Sequence, residues 1–91
     1  MPSIRVTWPH TREPQEARRA IEAVARDLRE QLGASYHWEG EELRFKATGA
    51  RGRIRVEPQT VVVEVDLGLA LLPLRGRIEA EVRSRLATTL V

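Results

Sequence analysis

Between Val61 and Leu90 a very apolar strand runs through a leucine-rich connector into a charged amphipathic helix, and this junction restricts the fold more than any other segment. Val61, Val63, Val65 and Leu67 alternate as a strand with one buried face. The apolar character continues through Leu69, Leu71, Leu72 and Leu74, in a stretch punctuated by Gly68, Pro73 and Gly76. Beyond it, Leu74, Ile78, Val82, Leu86 and Leu90 recur at helical spacing, flanked by Arg75, Arg77, Glu79, Glu81, Arg83 and Arg85, with Pro73 well placed for a helix start. A one-sided strand and a one-sided helix each need an apolar partner, so the two predict a layered domain.

The preceding chain supplies the rest of that layer. Ile4, Val6 and Trp8 alternate as a first strand, which Pro9 ends by removing a ladder donor. Thr11 is expected to cap a helix with Pro14 in its first turn and Gly33 as its stop. Its stripe is Ala17, Ile21, Val24, Leu28 and Leu32, with Ala20 and Ala25 beside it and Arg18, Arg19, Glu22, Arg26, Arg29 and Glu30 opposite. A tight turn at Gly40-Glu41 sets Trp38 opposite Leu43 and Tyr36 opposite Phe45. A looser connection from Thr48 to Gly52, with Gly49 and Gly52 as turn residues, leads to Ile54 and Val56. Pro58 and Gln59 then turn the chain so that Val56 faces Val61, Ile54 faces Val63, and Arg53 meets Glu64 on the other side.

The expected fold is therefore α+β over residues 1–91 as a single domain: strand, helix, four-strand meander, helix, with both helices packed on one face of a mostly antiparallel five-stranded sheet. The pattern leaves open whether the first strand adds beside the meander in parallel or pairs at another edge.

Composition narrows the function classes. Of 91 residues, 42% are hydrophobic, enough for a core without metal or disulfide staples, and the absence of cysteine excludes thiolate and disulfide chemistry. The segment Met1 to Arg12 lacks the apolar stretch of a signal peptide and no run reaches membrane-spanning length, so a soluble cytoplasmic protein is expected. Fifteen basic and thirteen acidic residues leave a net charge of only +2, too balanced for a strong nonspecific polyanion field. Neither His10 nor His37 has a metal-ligand spacing, Glu39, Glu41 and Glu42 crowd a turn, Ser3, Ser35 and Ser84 lack a nucleophile context, and Gly49, Gly52, Gly68 and Gly76 form no phosphate loop. No cofactor and no enzymatic activity are expected.

Three surfaces remain. The polar sheet face gathers Arg5, Arg44, Lys46, Arg53 and Arg55 around His37, and Arg44, Lys46, Arg53 and Arg55 would be its nucleic-acid contacts; Glu57, Glu64 and Asp66 share the face, which favours a solvated, salt-bridged surface. Tyr36, Trp38, Leu43 and Phe45 would line a small-ligand carrier pocket if the helices stood away from the sheet. The connector is the preferred partner surface, formed by Leu69, Leu71, Leu72, Leu74, Arg75 and Arg77, with Leu69 and Leu72 expected to be exposed. Its counter-reading is a flap that caps the end of the core.

The stretch Leu72-Pro73-Leu74-Arg75-Gly76-Arg77-Ile78-Glu79-Ala80-Glu81-Val82, together with Pro9-His10-Thr11 and Trp38 through Phe45, resembles the polyhydroxyalkanoic acid system protein family essentially end to end. The resemblance implies a small bacterial protein linked to polyhydroxyalkanoate storage granules, with no catalytic residues to transfer. Together with the apolar excess of the connector, it points to a granule-associated protein, the granule surface or a second copy of the chain as partner, while the balanced charge of the sheet face disfavours nucleic acid.

Overall fold

Alternation along each strand sorts its side chains onto two faces, and antiparallel pairing joins those faces into one apolar and one charged surface. A computed structural model describes residues 2–90. Of the 1–91 span expected to form one domain, Met1 and Val91 lie outside the described residues. The elements are β1 (Ile4–Pro9), α1 (Pro14–Leu32), β2 (Ser35–Glu39), β3 (Glu42–Ala47), β4 (Ala50–Val56), β5 (Thr60–Leu67) and α2 (Arg75–Thr89), the last entered through a 3₁₀ turn at Leu72–Leu74. The sheet order is β1-β5-β4-β3-β2 with every neighbouring pair antiparallel, an α+β fold. The first strand thus pairs antiparallel with β5, which becomes interior and leaves β1 and β2 as the edges.

Two rows of the apolar face cross all five strands. One runs Ile4, Val65, Gly52, Phe45, Tyr36; the next runs Val6, Val63, Ile54, Leu43, Trp38. The hairpin registers at Trp38/Leu43 and Val56/Val61 are those expected from the residue pattern. The helices cover this face from different sides. α1 packs over β4 and β2, and α2 over β1 and α1.

The line that α1 buries is Ala17, Ile21 and Ala25, whose small alanines let the helix approach the sheet closely. Val24 and Leu28 are half-buried, and Leu32 is 65% exposed, a departure from the expected stripe. Gly33, in the left-handed conformation at φ 68°, donates to the Arg29 carbonyl, and Ala34 takes the buried place at that end. Thr11 does not cap the helix. It is exposed, Glu13 holds the N-cap position without a side-chain bond, and Pro14 supplies the first turn.

The turn between β3 and β4 is also tighter than expected. Only Thr48 and Gly49 separate the strands, with Gly49 at φ 80°. Gly52 lies inside β4 rather than in the turn. A Cβ there would collide with the Glu64 carbonyl oxygen and lie 2.8 Å from Phe45 Cζ, so the glycine makes room for the ring crossing over it. Gly52→Ala is expected to destabilise the protein by about 1–3 kcal/mol, the range for an overpacked methyl group, read as a lower urea midpoint.

Burial along α2 is graded. Leu86 and Leu90 are in the core, Ile78 and Val82 are half-buried against it, and Leu74 is 44% exposed. The C-terminal half of the helix is seated most deeply, and Arg75, Gly76 and Arg77 at its start are exposed. Leu86→Ala is expected to cost roughly 2–5 kcal/mol, as for a buried leucine, and Leu74→Ala less than about 1 kcal/mol, compared by thermal and urea unfolding. Equal losses would contradict the graded docking.

Candidate functional site

The connector from Gly68 to Leu74 is built on backbone hydrogen bonds. Gly68 donates to the Gly49 carbonyl at 2.9 Å, and its own carbonyl accepts from the Leu71 and Leu72 N–H groups at 3.0 and 3.2 Å. The Leu74 N–H then reaches the Leu71 carbonyl at 2.9 Å, closing the 3₁₀ turn. Leu71 points back over the β3–β4 turn, where its Cδ1 would lie 3.0 Å from a Cβ on Gly49. Leu71 is half-buried over that turn. The others face outward, with Leu69 87%, Leu72 39% and Leu74 44% exposed. Arg75 and Arg77 continue the surface into the first turn of α2 and are exposed.

The charge pattern of α2 leaves those two arginines without a counterion among the described residues. Glu79 pairs with Arg83 at 3.5 Å and Glu81 with Arg85 at 3.2 Å, each four residues on. Among the described residues no carboxylate lies within 4 Å of Arg75 or Arg77. The first turn contains no acidic residue, and the N-cap residue Leu74 makes no side-chain bond. Two cations therefore sit at the positive end of the helix dipole, an unfavourable arrangement in isolation.

The charged sheet face has the opposite character. Glu64 is approached by Arg53 at 2.8 Å, Arg55 at 3.6 Å and Arg5 at 3.9 Å. Arg44 lies 2.8 Å from Glu42 and 3.4 Å from Glu39, which also bonds His37 at 2.7 Å. The His37 hydrogen bond and the Arg44 charge together hold the Glu39 carboxyl below its ordinary range. Of the four nucleic-acid candidates, Arg44, Arg53 and Arg55 are thus engaged by carboxylates, while Lys46 opposes Arg51 across β3 and β4 without an ion pair among the described residues. A shallow hollow of about 690 Å³ lies over this face, and Glu64 and Asp66 line it beside the cations.

The aromatic set is placed on the apolar face, where α1 meets β2. Leu43 is fully buried, and Tyr36, Trp38 and Phe45 pack against the core. Glu22, expected on the solvent side of α1, instead accepts from the Tyr36 hydroxyl and from the Trp38 indole N–H at 2.8 Å. Arg18 stacks over the Trp38 ring at 4.2 Å and donates to the Gly40 carbonyl at 3.1 Å, and Arg29 stands 5.6 Å from the Tyr36 ring. The polar side of α1 therefore covers an edge strand whose two aromatics each carry a hydrogen-bond donor. This contact was hidden in the sequence, because Arg18, Glu22 and Arg29 read equally well as a solvated helix face.

The histidines have separate structural roles. His10 is buried; its Nε2 lies 2.8 Å from the Glu57 carbonyl and its Nδ1 accepts from the Arg12 N–H at 3.2 Å, which places the ring proton on Nε2. It fastens the end of β1 to the β4–β5 turn. Among the described residues no group of three or more His, Asp or Glu side chains is arranged to hold a metal ion.

The Tyr36 and Trp38 hydrogen bonds hold the Glu22 carboxyl below its ordinary value, aided by Arg26. A depressed carboxyl stabilises the fold above its unfolded value and loses that contribution as pH falls through its folded value. Glu22→Ala is expected to lower stability by about 1.5–3 kcal/mol at pH 7, the range for hydrogen bonds to a charged acceptor. The difference from wild type should shrink in denaturant titrations as the pH is lowered below the ordinary carboxyl value of 4.5.

Comparison with curated proteins and with solved structures gives no match. The family comparison does, and its span takes in the sheet, both helices and the leucine connector. Residues 4–90 match the family described as "Putative polyhydroxyalkanoic acid system protein", and the chain belongs to that family.

Proposed function

We propose that this protein is a nonenzymatic accessory component of the bacterial polyhydroxyalkanoate storage system, which works through contacts made by its connector. The observation that carries the reading is the exposure of Leu69, Leu72 and Leu74 together on a hydrogen-bonded turn. A small protein gains nothing in stability from leucines held in water, and clustered exposure of this kind is the usual mark of a contact surface. Family membership supports the storage system as the setting. The attachment is peripheral, since no helix among the described residues is long and apolar enough to cross a membrane.

In this reading the protein resides in the cytoplasm, partly bound to granules, and the folded sheet presents the connector at one end. The contact is with the granule boundary or with a protein already there. The charged sheet face serves solubility, its cations being largely neutralised across the strands. Wild-type protein mixed with isolated granules is expected to sediment with them, and Leu69→Ser/Leu72→Ser protein to move to the soluble fraction with an unchanged unfolding midpoint. Equal partitioning of the two proteins would overturn the proposal.

A further inference from the structure

Resting on that reading, we infer that the connector and the start of α2 form an attachment site for an anionic lipid surface, with the leucines entering the apolar layer and Arg75 and Arg77 engaging headgroup phosphates. Two observations converge on this occupant. The exposed leucines run directly into the helix start, so the same short segment offers Leu69, Leu72 and Leu74 to an apolar layer and Arg75 and Arg77 to its polar boundary. The arginines lack a counterion among the described residues, whereas Arg83 and Arg85 farther along the same helix each have one.

Charge complementarity separates this occupant from its competitors. A second copy docked through the same patch in a two-fold contact would bring Arg75 and Arg77 toward their own equivalents, with no acidic residue in the first turn to offset them. An uncharged apolar surface would receive the leucines but leave both cations partly dehydrated and uncompensated. An array of phosphates satisfies both parts, because guanidinium groups bind phosphate oxygens in a bidentate manner and the helix N-terminus adds a field of the same sign. Leu71 stays out of the contact, since it is committed to the β3–β4 turn.

Sedimentation of the full chain with phosphatidylcholine vesicles, with and without phosphatidylglycerol at about a third of the lipid, tests the site. Wild type is expected to partition on the order of tenfold or more better onto the anionic vesicles, and to lose that preference in high salt. Arg75→Gln/Arg77→Gln should reduce binding to anionic vesicles by about tenfold without lowering the unfolding midpoint, since it removes two cations from the positive end of the helix dipole. Leu69→Ser/Leu72→Ser should reduce binding to both vesicle types. Equal wild-type binding to neutral and anionic vesicles, no binding to either, or full binding by the arginine variant would overturn the inference. The granule assay keeps the two proposals apart: leucine-dependent granule binding without a preference for anionic vesicles would remove the lipid inference alone, whereas loss of leucine dependence on granules would remove the parent reading. Concentration-dependent dimerisation abolished by the leucine substitutions, without vesicle binding, would assign the patch to a second copy instead.

Discussion

Burial of Val61, Val63 and Val65 in an interior strand is the constraint on which the rest of the structure depends. Each is matched by an apolar residue or by Gly52 on both sides, so a shift of one residue in either pairing would turn the valines toward Arg5, Arg53 and Arg55. With that register set, the apolar side chains of the sheet fall on one face, apart from Val62, which is buried on the charged side between Thr7 and Arg55. Both helices must then lie there, and the other face is left for charge. The β5 exit follows too, because once Leu67 ends the strand the next leucines have no further sheet to cover.

The strands were legible because two independent signals agreed. Period-two alternation locates them, and opposing Trp38 to Leu43 and Arg53 to Glu64 sets the hairpin registers that the sheet adopts. The glycines were harder, since Gly49 and Gly52 look alike in sequence while only one has a positive φ. What demands a glycine at position 52, inside the strand, is the approach of the Glu64 carbonyl and the Phe45 ring from the neighbouring strands, contacts that no local pattern encodes. Placement of β1 likewise depended on which edge of the meander remained open, a property of the assembled sheet.

The two helical stripes were found, but their depth was not. Periodicity says which residues share a side of a helix and nothing about how much of its length the sheet can reach. On α2 that reach ends before Leu74, and on α1 it ends before Leu32. The same limit hid the role of Glu22, whose polar character concealed a contact with two aromatic donors on β2. The surplus of leucines at the connector was legible by simple counting, since a core this small could not take them all; the division between Leu71, turned inward, and Leu69, Leu72 and Leu74, turned outward, required the turn at Gly68.

The bonds between Gly68 and both Gly49 and the following turn have an entropic consequence. A loop that is shaped only on arrival at its target surrenders backbone freedom at that moment, and its affinity is reduced accordingly. Here the main chain is already ordered by the hairpin beneath it, so little beyond leucine rotamers and arginine stems is left to immobilise. On the proposed reading, a short apolar protrusion of this kind would hold to a surface that a longer floppy segment of the same composition would leave.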